Sequence, residues 1–141
     1  MRPDIVLVVL DTVRADRLSL YGHDRPTTPF LEELAASSTV FERAYAPSCW
    51  TVPSHATLFT GMEPAEHRVG GEQASLDAVE APTLAQRLTD AGYATTGVSA
   101  NPWVGPAFGF DRGFEQFHCG WKFVQSGVDV ASQSITQGGQ P

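Results

Sequence analysis

Lysine is almost missing from this chain: eight of its nine basic residues are Arg, and Lys122 is the only Lys. Against them stand 16 acidic residues, for a formal net charge of −7. That balance argues against a nucleic-acid partner, which needs a basic face to neutralise phosphates. It leaves room for a small anionic ester, because a single pocket can be locally positive. Cysteine is scarce too. Cys49 and Cys119 form neither a disulfide framework nor a metal-ligand spacing; two thiols in a cytoplasmic chain are the plainer expectation, with a bridge between them left open. Long apolar runs are absent. The longest near the start, Ile5 to Leu10, is six residues and meets Asp11 at once, too short for a signal-peptide core or a membrane span. A cytoplasmic protein without a membrane partner is therefore expected. There is also no Gly-x-x-x-x-Gly-Lys phosphate loop, no Gly-x-Ser-x-Gly elbow and no internal repeat.

What is present is enough for one domain. The 141 residues are 42% hydrophobic, which speaks against intrinsic disorder. Ile5–Leu10 is wholly aliphatic, the pattern of a strand buried on both faces of a parallel sheet. Residues 28–38 read as a helix, with Thr28 as cap, Pro29 in the first turn, Glu32 and Glu33 near the positive end, and Phe30, Leu31, Leu34 and Ala35 as the apolar stripe. Val40, Phe41 and Tyr45 suggest an extended stretch. A short helix begins near Thr51 and stops at Gly61; a polar loop covers 63–81. Thr83 caps a further helix closed by Gly92, and 93–100 reads as a strand. Strands alternating with helices indicate an α/β fold with a mainly parallel sheet flanked by helices. The pattern lapses after Cys119, so residues 1–119 are read as the domain and 120–141 as a poorly patterned tail.

Three residues carry candidate chemistry. Asp11 stands at the carboxyl end of the first expected strand, where open α/β sheets place ligands, and its carboxylate suits a divalent cation. Its plainer role is to cap the next turn or pair with Arg14 or Arg17. Thr51 puts a hydroxyl at a helix start, where unpaired N–H groups and the helix dipole favour an anion. A Thr hydroxyl needs activation to act as a nucleophile, and an ordinary N-cap is the common case. His55, four residues on, faces the same side and is suited to help substrate or nucleophile; a satisfied structural His is the alternative. His23, His67 and His118 are scattered, with no helical zinc pair among them.

Taken together, several blocks are more specific than their parts. Pro3-Asp4-Ile5-Val6-Leu7-Val8-Val9-Leu10-Asp11-Thr12-Val13-Arg14, Thr27-Thr28-Pro29-Phe30-Leu31 and Trp50-Thr51-Val52-Pro53-Ser54-His55 through Gly61 resemble, in order, the opening blocks of the sulfatase family in the alkaline phosphatase superfamily. Thr83-Leu84-Ala85, Ala91-Gly92-Tyr93 and Gly109-Phe110-Asp111-Arg112-Gly113-Phe114 continue the likeness, which covers roughly residues 3–117. The resemblance implies an alkaline-phosphatase-like α/β/α sandwich, here incomplete. It also implies a metal-dependent hydrolase of sulfuric or phosphoric esters. Asp11 and Thr51 would be metal ligands, with Thr51 and His55 in the reaction. One divalent ion (Ca, Zn or Mn) is implied, incompletely liganded by this chain.

The departures from the family pattern are chemical. The family's Cys-x-Pro-x-Arg, whose Cys becomes formylglycine, stands here as Thr51, Pro53 and His55, and the family's paired Asp is Asp11-Thr12. Formylglycine hydrate expels sulfate by collapsing to an aldehyde, whereas an esterified Thr has no such exit. Thr points instead to phosphate or phosphonate esters, cleaved through a Thr ester that water then hydrolyses. Family members are several-fold longer and supply further metal ligands later, typically an Asp-His pair that does not occur here. The chain is thus expected to be a segment of a longer hydrolase, weak or inactive alone. A truncated, non-catalytic pseudoenzyme or binding domain is the alternative. A sheet cut partway would expose an apolar edge that invites self-association.

Overall fold

The computed structural model describes residues 2–120, arranged as two compact units that divide between Tyr45 and Ala46. In the first unit, two 3₁₀ turns (Ala15–Arg17 and Ser19–Tyr21) precede helix α1, Pro29–Ala35. The helix starts where Pro29 predicts but ends three residues short of Ser38. Thr28 does not cap it with its side chain. Its hydroxyl instead accepts from the Leu20 N–H at 3.1 Å, while its own N–H donates to Ser19 Oγ at 3.0 Å. Ser19 also hydrogen-bonds Glu32. The expected cap is therefore a latch that ties the preceding turn to the helix.

The expected first strand is the clearest correction. Residues 5–10 form no ladder, and their side chains are 45–85% exposed. A strand apolar on both faces is stable only when neighbours pair its backbone and cover both faces. Among the described residues of this unit there is no strand to do either. The extended stretch expected around Val40, Phe41 and Tyr45 likewise forms no strand, and Phe41 and Tyr45 are exposed.

The second unit keeps more of the expectation. Helix α2 runs Thr51–Thr60, closed by Gly61 in the left-handed conformation (φ 74°). Helix α3, Pro64–His67, lies inside the stretch read as loop; reciprocal hydrogen bonds between Glu63 and Glu66 box its start. Helix α4, Leu84–Asp90, is capped by Thr83 as expected, and Gln86 completes a capping box that the sequence reading did not include. Strand β1 (Thr96–Ser99) pairs in parallel with β2 (Gln116–Cys119), Thr96 opposite Gln116. The fold is thus α/β with a parallel but two-stranded sheet. Cys49 and Cys119 are free thiols. No helix of the described residues is long and apolar enough to cross a membrane.

The core gathers Val52, Ala56, Val69, Leu76, Val79, Val104 and Phe110. Phe110 is fully buried and packs edge-on against Phe59 (5.6 Å) and His55 (6.2 Å) of α2. Two residues later, Arg112 donates to the carbonyls of Leu76 (3.0 Å), Val79 (2.8 Å) and Ala81 (2.8 Å), binding an irregular loop to the core. Gly113 then turns with φ 93°, and a Cβ there would lie 2.4 Å from the Gln86 nitrogen.

His67 clamps α3 to α2. The Val69 N–H donates to its Nδ1 at 3.0 Å, so the neutral ring carries its proton on Nε2 and donates to Thr57 Oγ1, also at 3.0 Å. Burial lowers its pKa below 6.5, an effect partly opposed by the Pro53 carbonyl and the carboxylates of Glu63 and Glu66.

Two outcomes follow from these contacts. Gly113→Ala meets both a disfavoured φ and the α4 backbone, so urea unfolding should show a loss of about 3 kcal/mol. For His67, the unfolded state binds the proton more readily than the folded one. Its contribution is therefore complete above the ordinary value of 6.5 and is lost as pH falls below it, toward the lower folded value. Melting temperatures between about pH 7.5 and 5.5 should fall with acidification in the native chain and fall less in His67→Gln.

Candidate active site

Thr51 is the first residue of α2, half-buried, between Trp50 in extended conformation (φ −148°, ψ 168°) and the buried Val52 and Pro53. The Trp50 side chain, at the N-cap, makes no capping hydrogen bond. The start of a ten-residue helix concentrates partial positive charge where Thr51 stands. Pro53 fits here because a third-position N–H would have no partner inside the helix.

His55 shares that helix and is 8% exposed. Its Nδ1 lies 2.8 Å from the Thr51 carbonyl. A carbonyl only accepts, so Nδ1 holds the proton and Nε2 is left as an acceptor. The ring is further fixed against Phe110. His55 and Thr51 are therefore brought together, through the Thr51 backbone, and the contact steadies the turn that carries the hydroxyl.

Asp11 belongs to the first unit, in a turn shared with Thr12. Thr12 has φ 60°, a left-handed conformation that a β-branched residue adopts at a cost of about 1–3 kcal/mol. Its hydroxyl donates to the Asp11 carbonyl at 2.7 Å, which offsets part of that strain. Arg14, one partner considered for Asp11, pairs instead with Asp16 at 2.6 Å. That hydrogen bond and charge pull the Asp16 carboxyl below, and push the Arg14 guanidinium above, their ordinary values.

A divalent ion needs at least four donors even for zinc. Among the described residues no three His, Cys, Asp or Glu side chains stand close enough to hold one. The described residues thus bring together no such cluster of His, Cys, Asp and Glu.

Beside the start of α2 opens a cleft of about 500 Å³, walled by Trp50, Pro53, Pro64, Arg68, Gly70 and Glu72. Sequence reasoning missed it because residues 63–81 looked like plain polar loop. The available signals were the Glu63–Glu66 spacing, which boxes α3, and the Gly70-Gly71 pair. Residues 68–73 form a tight turn, with the Gly70 N–H on the Gln73 carbonyl (2.8 Å) and the Gln73 N–H on the Arg68 carbonyl (3.0 Å).

Comparison with known proteins agrees with this frame. The family model described as Sulfatase matches residues 3–126. An arylsulfatase of Clostridium perfringens is 39% identical over 98 residues, covering 67% of this chain and 20% of that protein. An N-acetylgalactosamine-6-O-sulfatase of Bacteroides thetaiotaomicron is 33% identical over 99 residues, 67% of this chain and 19% of its own length. Human arylsulfatase A is 34% identical over 125 residues, 82% of this chain and 24% of its own. The chain therefore spans about a fifth to a quarter of the curated relatives it matches. No solved structure matches it. With the blocks around Asp11, Thr51 and Phe110 all inside the matched range, the chain belongs to the sulfatase family.

Proposed function

We propose that this chain is the N-terminal segment of a hydrolase of anionic esters in which Thr51 is the nucleophile and phosphate or phosphonate esters are the substrates. The observation that supports the reading is the placement of Thr51 at the first turn of a ten-residue helix, in the position where the family pattern has its modified Cys. In the reaction, the Thr51 oxygen forms a bond to phosphorus and the alcohol oxygen leaves, taking up the proton that Thr51 loses. Water then attacks phosphorus in line, releasing the acid and restoring the hydroxyl. The helix start favours the anionic group in both steps. His55 is a positioning residue, acting through the Thr51 carbonyl. Asp11 and Thr51 are our candidates for two ligands of a divalent ion, with the remaining donors supplied from outside this segment.

A non-catalytic reading draws on the same helix: a His locked by its own helix and the core is also what a retained scaffold would keep.

Hydrolysis of an aryl phosphate, an aryl phosphonate and an aryl sulfate, titrated with calcium, zinc or manganese, separates the readings. The 141-residue chain alone should turn over slowly or not at all. Expressed with whatever coding sequence follows codon 141, the protein should prefer the phosphorus esters and show a phosphoryl adduct on the Thr51 peptide. Thr51→Ala should then lower kcat by about a thousandfold or more. Preference for the aryl sulfate, or an active Thr51→Ala, would overturn the assignment; an inert extended protein would favour the scaffold.

A further inference from the structure

The two hydrogen bonds of the buried His67 ring lead in different directions. Nε2 donates to the Thr57 hydroxyl of α2, and Nδ1 accepts from the Val69 N–H. Val69 belongs to the 68–73 turn, where it bridges to Gln73. The next residue, Gly70, lies against Trp50 and Pro53: a Cβ there would fall 2.7 Å from the Trp50 ring and 2.8 Å from the Pro53 ring. Trp50 precedes α2 and Pro53 is its third residue, so the pair brackets Thr51 in the chain. A continuous line of contacts thus runs from the imidazole through the turn to the start of α2.

That line holds only while the ring is neutral. A proton on Nδ1 removes the lone pair that takes the Val69 N–H and sets two donors against each other. Val69 is 2% exposed, so its N–H reaches another partner only if the turn moves. Arg68 already sits left-handed at φ 54°, a conformation that costs a long side chain energy and that release would relieve. Its ion pair on the rim of the cleft, Nη1 to Glu72 Oε2 at 3.1 Å, is exposed and internal to the turn. The surroundings accept the charge once Val69 withdraws. Glu63 and Glu66 face the ring at α3, and the Pro53 carbonyl and Thr57 hydroxyl face it from α2, whose other imidazole, His55, is bound to the Thr51 carbonyl. The rest of the unit has separate fastenings: Arg112 on three carbonyls, the Thr83–Gln86 box and the β1–β2 pairing use none of residues 67–73.

We propose that His67 is a proton-operated clamp: neutral, it holds the 68–73 turn onto Trp50 and Pro53; protonated, it frees that turn while α2, α4 and the sheet stay folded. The proposal stands on these contacts alone and does not depend on Thr51 acting as a nucleophile.

The test is an NMR titration of the full chain between about pH 8 and 5, which spans the ordinary imidazole range. It follows the His67 ring protons, the Val69 and Gly70 amides and the Trp50 indole N–H together. All should shift in one step, with a common midpoint below 6.5, while the α4 and β1 amides hold their positions. Between 6.5 and that midpoint the freed fraction should grow about tenfold per pH unit, because each opening takes up one proton. His67→Gln offers an acceptor and a donor but does not titrate, so it should abolish the step at Gly70 and Trp50. His55→Gln should leave that step in place. A His67 ring that titrates while Gly70 and Trp50 stay still would overturn the proposal. So would a step that survives His67→Gln or vanishes in His55→Gln. Loss of the β1 and α4 amides in the same step would equally overturn it, by making the proton a trigger of global unfolding. If His67→Gln does not fold, the native titration and His55→Gln still decide.

Discussion

Three carbonyls on one guanidinium hold the second unit together. Leu76, Val79 and Ala81 belong to a loop with one short 3₁₀ turn, and burying such a loop leaves backbone acceptors that its own structure cannot satisfy. Arg112 supplies the donors, at a net gain of roughly 1–3 kcal/mol for each charged hydrogen bond. Its Nε is the one buried side-chain polar atom without a partner among the described residues, a cost tolerated because the other contacts fix the planar head. The same short stretch carries Phe110, whose ring abuts His55 and Phe59. One turn thus anchors a loop with one residue and, with a neighbour two positions away, seats the helix that begins at Thr51.

This arrangement explains what could be read from sequence and what could not. Local chemistry was legible: Gly61 ends α2, and Thr83 opens α4, because caps and breakers act within a few residues of themselves. Non-local pairing was not. β2 is Gln116–Cys119, a four-residue stretch whose only claim to be a strand is its partner β1 some twenty residues earlier. Residues 5–10 show the converse error. Their composition describes the surroundings a strand wants, and composition cannot summon the neighbours that make it one. Within the candidate site, Thr51 and its helix were legible from the block that contains them. The tautomer of His55, the clamp at His67 and the Arg68–Glu72 rim were not, since each depends on a hydrogen-bond geometry fixed by folding.

Thr12 links the family pattern to backbone physics. The family places a second Asp after the first, and at this position the chain turns left-handed. Asp and Asn tolerate that conformation better than other residues, because a short polar side chain can bond locally. Thr is the less suited substitute, stiffened by its branch, and the bond from its hydroxyl to the Asp11 carbonyl is the local compensation that remains.

Residue 51 departs from the family pattern too. The elements that present the side chain there are local: an extended Trp50, the first turn of α2, Pro53 at the third position and a glycine stop after Thr60. None of them requires a thiol or an aldehyde. They supply partial positive charge and orientation, which serve an anionic ester of sulfur or phosphorus alike. What distinguishes the two is how the covalent intermediate is resolved. An aldehyde hydrate can eject its anion by its own collapse, while a threonyl ester must wait for water at the central atom. Phosphorus admits that attack through a well-supported in-line displacement. On the reading proposed here, the start of α2 favours an anionic ester and the oxygen of Thr51 directs the release step toward phosphorus.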